Sequence, residues 1–253
     1  MGKIAMETIR RELVHTVRGL RRSPGFTAIV LVILALGIGA NTAIYSVVNA
    51  VVLRPLPYPD ADRLVMLPAV HRPNPIGEEI SPADFLDWRR ASRSSFERLG
   101  AFGPASLNLT GAGDPERLQA AQITPGALAA IGIQPLVGRL FLPEEERADS
   151  RVALLSFALW KSHFAGDRSI VGKTVRFSGI EYPIVGVMPA EFRFPGNDVQ
   201  VWIPLRFTDY RIHDRRSRWL YAVGRLKGGV SVAAAQHEMN AVSASLARQF
   251  PRE

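Results

Sequence analysis

The sequence has 253 residues, no cysteine and a formal net charge of +8 at pH 7. The absence of cysteine excludes disulfides, thiolate zinc sites and cysteine nucleophiles. About half of the basic excess lies on the first 22 residues and the rest is spread over about 200 residues after position 53, so no concentrated basic patch indicates nucleic acid as a partner.

Residues 1–23 are predicted to form a basic amphipathic helix, because apolar residues recur at helical spacing and the arginines lie largely on another face. The basic flank consists of Arg10, Arg11, Arg18, Arg21 and Arg22. Basic residues beside a membrane span mark its cytoplasmic side. This segment is therefore expected in the cytoplasm, either as an anchor in the lipid headgroup layer or as a contact for a partner.

Residues 25–53 contain no Asp, Glu, Lys, Arg or His. About 20 apolar residues in a helix cross the hydrocarbon core of a bilayer. The run is longer than the apolar core of a cleaved signal peptide, which favours an uncleaved anchor. We predict a transmembrane helix over residues 24–53 that extends outward as a stalk, with the polypeptide after about residue 54 on the extracytoplasmic side.

Two stripes with a four-residue spacing lie within this helix. One consists of the small residues Ala35, Gly39 and Ala43, which permit close approach of another helix. The other consists of Asn41, Tyr45 and Asn49, whose polar groups are costly in lipid without partners. Two interpretations remain open: the polar stripe faces other helices, or this part of the helix has left the hydrocarbon. Membrane lipid and other transmembrane helices are the partners that these faces predict.

The remaining 200 residues are predicted to form an α+β extracytoplasmic domain, a mixed sheet with short helices, over residues 54–253. Prolines at alternate positions from 55 to 59 end the long helix. Strands are predicted at residues 63–70, 99–102, 106–110, 117–123, 151–156, 173–177, 182–187, 199–203 and 219–226. Helices are predicted to begin after Ser81, at Pro125, at residue 157 and after Ser231.

Several local patterns make finer predictions. Residues 143–146 are expected to be a solvated acidic turn, and residues 211–218 a solvated basic loop. Ser178-Gly179 between two β-rich runs indicates a hairpin. The last helix, which runs to residue 250, is predicted to have an apolar-leaning side formed by Ala234, His237, Met239, Ala241, Val242 and Leu246.

No catalytic, cofactor or metal site is predicted. Gly172-Lys173-Thr174 resembles the end of a phosphate-binding loop, but the earlier glycine is misplaced and a strand rather than a helix follows. The five histidines do not include a pair at the i, i+4 spacing of a helical metal site. A hydrolase anchored to the membrane remains the weakest alternative, because no site for it is visible.

Five stretches resemble MacB/FtsX-type ABC transporter permeases of the duplicated-permease branch. They are ALGIGANTAIYSVVNAVVLRPLPYPDADRLV (35–65), SPADFLDWR (81–89), GIQPLVGRLFLPEE (132–145), the run from Leu154 to Pro195, and VGRLKGGVSVAAAQHEM (223–239). They follow the order of the family over nearly the whole chain. The chain is thus similar to the N-terminal part of such a permease, with its first transmembrane helix and a MacB-like periplasmic core domain.

The resemblance implies a non-catalytic permease in the inner membrane, whose ATPase is a separate domain or subunit. It also implies a second permease copy and coupling of ATP hydrolysis to the external domain by mechanotransmission. Family permeases carry three further spans after the external domain, and the sequence shows no second span before residue 253. The chain is therefore expected to be a fragment, a truncated gene product or a degenerate copy, with an incomplete core domain. The alternative is a single-span, membrane-anchored binding or sensor module without transport activity.

Overall fold

The computed structural model describes residues 24–48, 57–68, 79–111, 115–147 and 149–250. It divides into two compact units, with the boundary between Leu56 and Pro57. The first unit contributes helix α1 (Pro24–Val48), and the second is the domain described below. The helix predicted at residues 1–23 and the predicted stalk at residues 49–53 lie outside the described residues.

Helix α1 consists of 25 consecutive residues, none of which is charged. After the opening proline, isolated glycines are its only helix-breaking residues. Within the described part of the chain, Pro24–Ser46 is the one helix long and apolar enough to cross a membrane. Its large apolar side chains are exposed, from 53% for Leu34 to 68% for Leu36. Nothing described in the chain covers them.

The second unit is α+β, as the sequence predicts. Its helices are α2 (Pro82–Ala91), α3 (Pro125–Ile131), α4 (Phe157–Phe164) and α5 (Val232–Gln249). Its strands are β1 (Leu64–Leu67), β2 (Phe96–Thr110), β3 (Glu116–Ile123), β4 (Val137–Gly138), β5 (Ala153–Leu155), β6 (Thr174–Phe177), β7 (Ile180–Val187), β8 (Val201–Pro204) and β9 (Tyr221–Leu226).

The strands form one mixed sheet with two parts. In the first part, β9 lies between β1 and β2 and is antiparallel to both. In the second part, pairing runs from β2 through β3, β8, β5, β7 and β6, and β6 pairs again with the end of β2. This second part is therefore a closed small barrel, and β2 belongs to both parts.

The double role of β2 explains one error of the sequence analysis, which divided it into strands at 99–102 and 106–110. β2 is a single strand of 15 residues. Gly103 and Pro104 lie between the two predicted segments. β9 pairs with β2 only as far as Phe102, so Pro104 faces no β9 residue that requires its missing N–H. The strand passes at this point from the sheet into the barrel.

Side-chain caps start the four helices of this unit. Ser81, Thr124, Ser156 and Ser231 each accept a hydrogen bond from the backbone N–H three residues later, as N-cap residues do. The predicted caps at Ser81 and Ser231 are confirmed. The predicted hairpin is also confirmed: Ser178 and Gly179 have φ values of 50° and 78°, which match the twist of the flanking strands.

Three apolar clusters fill the domain. One lies inside the barrel and includes Phe177 and Leu155. A second joins α2 and α5 to one face of β1, β9 and β2. The third packs α3 beside Trp202 and Ile123. Helix α3 reaches β2 closely because Gly100 has no side chain; a Cβ there would lie 2.0 Å from the Ala127 nitrogen.

The predicted apolar side of the last helix is partly wrong. Ala235 and Met239 are buried and Val242 and Leu246 are half-buried, an i, i+4, i+7, i+11 spacing that defines one helical face. Ala234, His237 and Ala241 are exposed instead. The small apolar residues of this helix occur on all sides, so periodicity alone misplaced the face by about one residue.

Candidate functional site

The predicted packing stripes lie on α1. Ala35, Gly39, Asn41, Ala43 and Tyr45 are all exposed in this chain. A Cβ added to Gly39 would meet nothing within 4 Å, so no described contact within the chain accounts for the glycine. Glycine inside a helix costs about 1 kcal/mol relative to alanine.

The remaining sequence-predicted site residues have no described structure. Asn49, at the end of the polar stripe, lies outside the described residues, as do Arg10, Arg11, Arg18, Arg21 and Arg22 of the basic flank. The structure therefore places part of the two stripes on one helix and leaves their packing role, and the role of the basic flank, as predictions.

A buried arginine holds the segment through which the chain enters the domain. We call Pro57–Arg63 the junction segment. Arg225 on β9 is only 6% exposed and donates to the carbonyl oxygens of Pro59 at 2.7 Å and Asp60 at 3.1 Å. The same guanidinium donates to the carbonyls of Ala130 at 2.7 Å and Ile131 at 3.1 Å.

These contacts tie three elements to one side chain. The carbonyls of Ala130 and Ile131 end α3, where a helix carries partial negative charge and unpaired acceptors. The guanidinium has five donors in a rigid fork, which suits four backbone acceptors on two segments. Arg225 thus fixes the junction segment to the centre of the sheet and to the end of α3.

Arg63 fastens the other end of the junction segment to the same strand. Its guanidinium donates to the carbonyl oxygen of Leu226 at 2.6 and 2.9 Å and forms an ion pair with Glu97 at 2.6 Å. Two adjacent residues of β9 therefore anchor the middle of the junction segment and its last residue.

The SPADFLDWR stretch forms a second polar network. Arg215 forms ion pairs with Asp84 at 2.7 Å and Asp87 at 2.6 Å, one helical turn apart on α2. Burial alone would lower the pKa of Arg215, but the hydrogen bonds to Asp87 and Asp84 raise it above the usual arginine value. The Arg215 guanidinium also lies over the Phe250 ring at 3.5 Å, so α2 and the end of α5 share this contact.

This network corrects in part the prediction of a solvated basic loop at residues 211–218, in which residues 212, 213, 216 and 217 are exposed as predicted. The Arg215 side chain is 13% exposed, and Arg211 lies over the Trp219 ring at 4.9 Å and donates to Gln122. The carboxylates of α2 provide the counter-charges, and they are distant in sequence. A single stretch of basic residues could not reveal them.

The predicted solvated acidic turn is also wrong in part. Residues Pro143–Glu146 form a short 3₁₀ helix in which Glu145 is 8% exposed. Arg139 pairs with Glu145 at 2.8 Å, and Arg89 of α2 pairs with Glu146 at 2.7 Å. Arg89 of the SPADFLDWR stretch is therefore joined to Glu146, the residue that directly follows the GIQPLVGRLFLPEE stretch.

A groove lies between the edge strand β1 and α5, with a volume of about 300 Å³. Its walls are formed by β1 and by polar residues of α5, and its floor is apolar. The lining residues are Val65, Met66, Leu67, Pro68, Trp88, Phe96, Val232, Ala235, Gln236, Met239, Asn240 and Ser243. The sequence did not reveal this groove, because β1 and α5, which form its walls, are far apart along the chain.

Gly172 lies in a turn at a φ of 91°, and Thr174 is the first residue of strand β6. A phosphate-binding loop requires a helix after its Gly-Lys-Thr, whereas in the described structure a strand follows. Across the described ranges, no group of three or more His, Cys, Asp or Glu side chains is arranged to hold a metal ion. Within the described residues, the structure assembles the polar contacts around Arg225 and Arg215 and the groove between β1 and α5.

The fold is that of extracytoplasmic domains of transporter proteins. The periplasmic region of MacB from Actinobacillus actinomycetemcomitans matches with a TM-score of 0.55, at 16% identity, over 72% of this chain and 83% of that one. The extracellular domain of the noncanonic ABC-type transporter YknZ from Gram-positive bacteria matches with a TM-score of 0.53, at 13% identity, over 75% and 94%. A domain of a permease protein from Porphyromonas gingivalis matches with a TM-score of 0.55, at 14% identity, over 74% of this chain and 83% of that one.

The family model for the MacB-like periplasmic core domain matches residues 27–242. The chain belongs to this family. No curated protein matches the sequence significantly. The resemblance stated from the sequence motifs is thereby confirmed, and the motifs acquire structural roles: they form the caps, ion pairs and buried arginine described above.

Proposed function

We propose that the chain is a permease component of an ABC-type transporter in a cytoplasmic membrane. Membership of the family and the fold shared with domains of MacB and YknZ support this proposal. In it, residues 1–23 are cytoplasmic, residues 24–53 cross the membrane and continue outward, and residues 54–253 form the periplasmic core domain. The net positive charge before the span supports this orientation.

The proposal includes coupling between an ATPase on another domain or subunit and the core domain. The observation that carries it is the Arg225 contact. A movement of the junction segment is transmitted to β9 and α3 through hydrogen bonds from a single buried guanidinium, whereas a flexible linker would dissipate it. Transmission also needs two discrete arrangements that ATP binding and hydrolysis bias.

The stripes of α1 are proposed to contact other permease helices, including those of a second copy. Small residues permit close helix approach, and Asn41 requires a polar partner in lipid. Gly39→Leu should reduce co-purification of differently tagged copies from mild detergent, whereas Ile33→Leu, on another side of the helix, should leave it unchanged. Equal recovery with both variants would exclude this stripe as the contact.

Orientation can be tested with a reporter enzyme that is active only outside the cytoplasm, fused after Pro59. We expect activity in intact cells, because the net positive segment stays inside. A cytoplasmic reporter fused at the same position should be inactive. The reverse result would overturn the orientation and, with it, the periplasmic placement of the domain.

Coupling can be tested in two steps with a candidate ABC-type ATPase. Recovery of the ATPase with the full chain should exceed its recovery with a chain that lacks residues 1–22; equal recovery would exclude the basic flank as the contact. The chain has no native cysteine, so a spin label at Lys227→Cys reports one position. The distance between labels in two copies should change when ATP is trapped, and a hydrolysis-deficient ATPase provides the control.

A distance that stays the same in all nucleotide states would contradict coupling. Failure to recover any ATPase or a second copy would favour the alternative of a single-span binding or sensor module.

A further inference from the structure

The connection between β8 and β9 presents an exposed tyrosine on a hydrogen-bonded turn. We call residues 207–214 the β8–β9 loop. Tyr210 is 75% exposed, the highest value of any large apolar or aromatic side chain in the described residues. Its carbonyl oxygen accepts from the His213 N–H at 3.3 Å, and the Thr208 carbonyl accepts from the Ile212 N–H at 3.0 Å. The turn that carries the tyrosine is therefore held by its own backbone.

Both ends of the β8–β9 loop are fixed to other elements. At one end, Phe207 stacks on Phe85 of α2 at 5.9 Å, and its N–H donates to the Glu146 carbonyl at 3.1 Å. At the other end, the Asp214 carbonyl accepts from the Ala83 N–H at 3.2 Å. A loop that is already ordered loses little conformational entropy when a partner binds. The β8–β9 loop is preorganised in this sense.

Arg211, next to Tyr210, is a half-buried cation without a counter-charge. Its Nη1 donates to the Gln122 Oε1 at 3.0 Å and to the Arg206 carbonyl at 3.2 Å, and its guanidinium lies over the Trp219 ring at 4.9 Å. These partners are all uncharged groups, and the described residues give Arg211 no ion pair.

The surroundings of Arg211 disfavour its charge. Burial and, to a smaller extent, the neighbouring charge of Arg206 lower the pKa of Arg211. A nearby anion would favour the charged form. A guanidinium has five N–H donors, and the described hydrogen bonds of Arg211 use only those of Nη1. Donors therefore remain for an anionic ligand.

This site is separate from the groove beside β1. Gln122, which holds Arg211, belongs to β3, and β9 and β2 lie between β3 and β1 in the sheet. Helix α5 lines the groove beside β1. Tyr210 and Arg211 thus lie at a different part of the sheet from the edge that α5 accompanies.

We propose that Tyr210 and Arg211 form a docking site for an acidic segment of a partner protein. A carboxylate of the partner pairs with the remaining donors of Arg211, and an apolar side chain beside it packs on the Tyr210 ring. Tyrosine and arginine are enriched among the residues that dominate binding energy at interfaces, and the guanidinium fork suits a carboxylate. The partner supplies the counter-charge that the chain itself does not.

The chemistry of the loop favours a protein segment over an anionic lipid surface. Segments that bind such lipids usually collect about four to eight basic residues. In this region Arg215 is already paired with the two carboxylates of α2, and Asp209, beside Tyr210, is exposed and would be repelled by anionic headgroups. A single carboxylate that reaches Arg211 avoids this repulsion. The site does not depend on the transport mechanism proposed above.

The test uses the full chain in phosphatidylcholine nanodiscs and a synthetic peptide in which leucines are flanked by glutamates and one residue carries a photoreactive benzophenone. The control peptide has glutamine in place of each glutamate. We expect the glutamate peptide to cross-link within residues 206–214 and to bind about tenfold more tightly than the control. Added salt should reduce this preference. The comparison uses the unchanged chain, so it does not depend on the folding of a variant.

Two variants separate the contributions of charge and ring. Arg211→Gln should abolish the preference for the glutamate peptide, whereas Arg98→Gln, at an exposed arginine of β2, should retain it. Tyr210→Ala should weaken binding of both peptides by about threefold or more and leave their ratio unchanged, because the ring contacts the apolar side chains.

Several results would overturn the proposal. One is equal affinity of the two peptides for the unchanged chain, and another is cross-linking outside residues 206–214. Binding to phosphatidylglycerol vesicles that is lost in Arg211→Gln would show that the occupant is lipid. A dimer that dissociates in Arg211→Gln alone would show that it is a second copy of this chain. Absence of any peptide binding at millimolar concentration would also exclude the site.

Discussion

Helix α1 and the domain at residues 57–250 use apolar residues in opposite ways. In the domain, large apolar side chains such as Phe85, Phe177 and Trp202 are fully buried against one another. In α1, Phe26, Ile33 and Leu36 are each more than 60% exposed. The domain therefore finds its packing partners within the chain, whereas no described residue covers the large apolar side chains of α1.

The same contrast holds for glycine. Gly100 in β2 is required by the close approach of α3, because any Cβ would overlap the Ala127 backbone. Gly37 and Gly39 of α1 have no neighbour within 4 Å of an added Cβ. A glycine in the domain is explained by a contact that the chain itself makes. No described residue makes such a contact with Gly37 or Gly39 of α1, and for Gly39 we propose a contact with another helix.

The largest effect on the free energy of unfolding is expected when a phenylalanine of the domain is replaced by alanine. The same replacement in α1 is the control. Phe85 is 0% exposed and stacks on Phe207 with ring centroids 5.9 Å apart. Phe85→Ala should lower the free energy of unfolding by about 3–5 kcal/mol, the usual cost of truncating a buried phenylalanine. Urea denaturation followed by tryptophan fluorescence measures this in detergent.

Phe26→Ala is the matched control, because Phe26 is 64% exposed. We expect it to leave the unfolding midpoint of the domain unchanged. A similar loss of stability in both variants would contradict the difference between the two regions.

The second prediction tests the hydrogen bonds by which Arg225 holds the junction segment and the end of α3. Arg225→Met retains much of the aliphatic stem but removes the donors to four carbonyl oxygens. The cost should be about 3 kcal/mol, because buried acceptors lose charged hydrogen-bond donors. The same urea experiment measures it, and proteolysis at the junction segment should accelerate.

Arg98→Met provides the control, because Arg98 is exposed and its described hydrogen bond is to the adjacent Glu97 carbonyl. If Arg225→Met were no more destabilising than Arg98→Met, the junction segment would not depend on the buried guanidinium.

Local patterns predicted much of this structure. Caps at Ser81 and Ser231, the hairpin at Ser178-Gly179 and the charge-free helix depend on neighbouring residues, and all are observed within the described ranges. The closed barrel, the single strand β2 and the ion pair of Arg89 with Glu146 depend on pairings between distant residues. No periodicity or spacing in the sequence encodes those pairings directly.

Arg225 illustrates what the sequence could have shown. It lies in the strand sequence YAVGRL, where its neighbours Gly224 and Leu226 are buried. A charged residue within an apolar strand is a signal, because burial of a charge requires partners. Its actual partners are backbone carbonyls, which carry no sequence signature. Arg225 could thus have been singled out as unusual, but its role as a joint required the fold.

A smaller effect is expected from the cap of α2. The Ser81 hydroxyl oxygen accepts a hydrogen bond from the Asp84 N–H at 3.1 Å. Ser81→Ala should cost about 1 kcal/mol, the typical value for loss of an N-cap. Ser243→Ala, at an exposed position within α5, should be close to neutral, because alanine has the higher helix propensity. A lower unfolding midpoint for Ser81→Ala than for Ser243→Ala would show that loss of the N-cap, rather than loss of any serine hydroxyl, causes the destabilisation.

The smallest effect concerns Glu238 and shows whether the polar contacts of the domain, like its apolar ones, are made within the chain. Glu238 accepts hydrogen bonds from the Ser94 hydroxyl and from the backbone N–H groups of Ser94 and Ser95, the latter at 3.0 Å. Burial raises the pKa of this carboxyl, but the bonds from Ser94 and Ser95 outweigh burial and leave the pKa below its usual value.

A carboxyl with a depressed pKa in the folded state stabilises the protein above its unfolded-state pKa of about 4.3, and this contribution disappears as the pH falls through the folded-state pKa. Glu238→Gln should therefore unfold at lower urea than the unchanged chain at neutral pH, and the two midpoints should converge as the pH falls below about 4. Glu181→Gln, on an exposed strand position, should not reproduce the convergence. A difference between the Glu238 variant and the unchanged chain that stays constant with pH would show that the amide change, rather than ionisation, causes the loss.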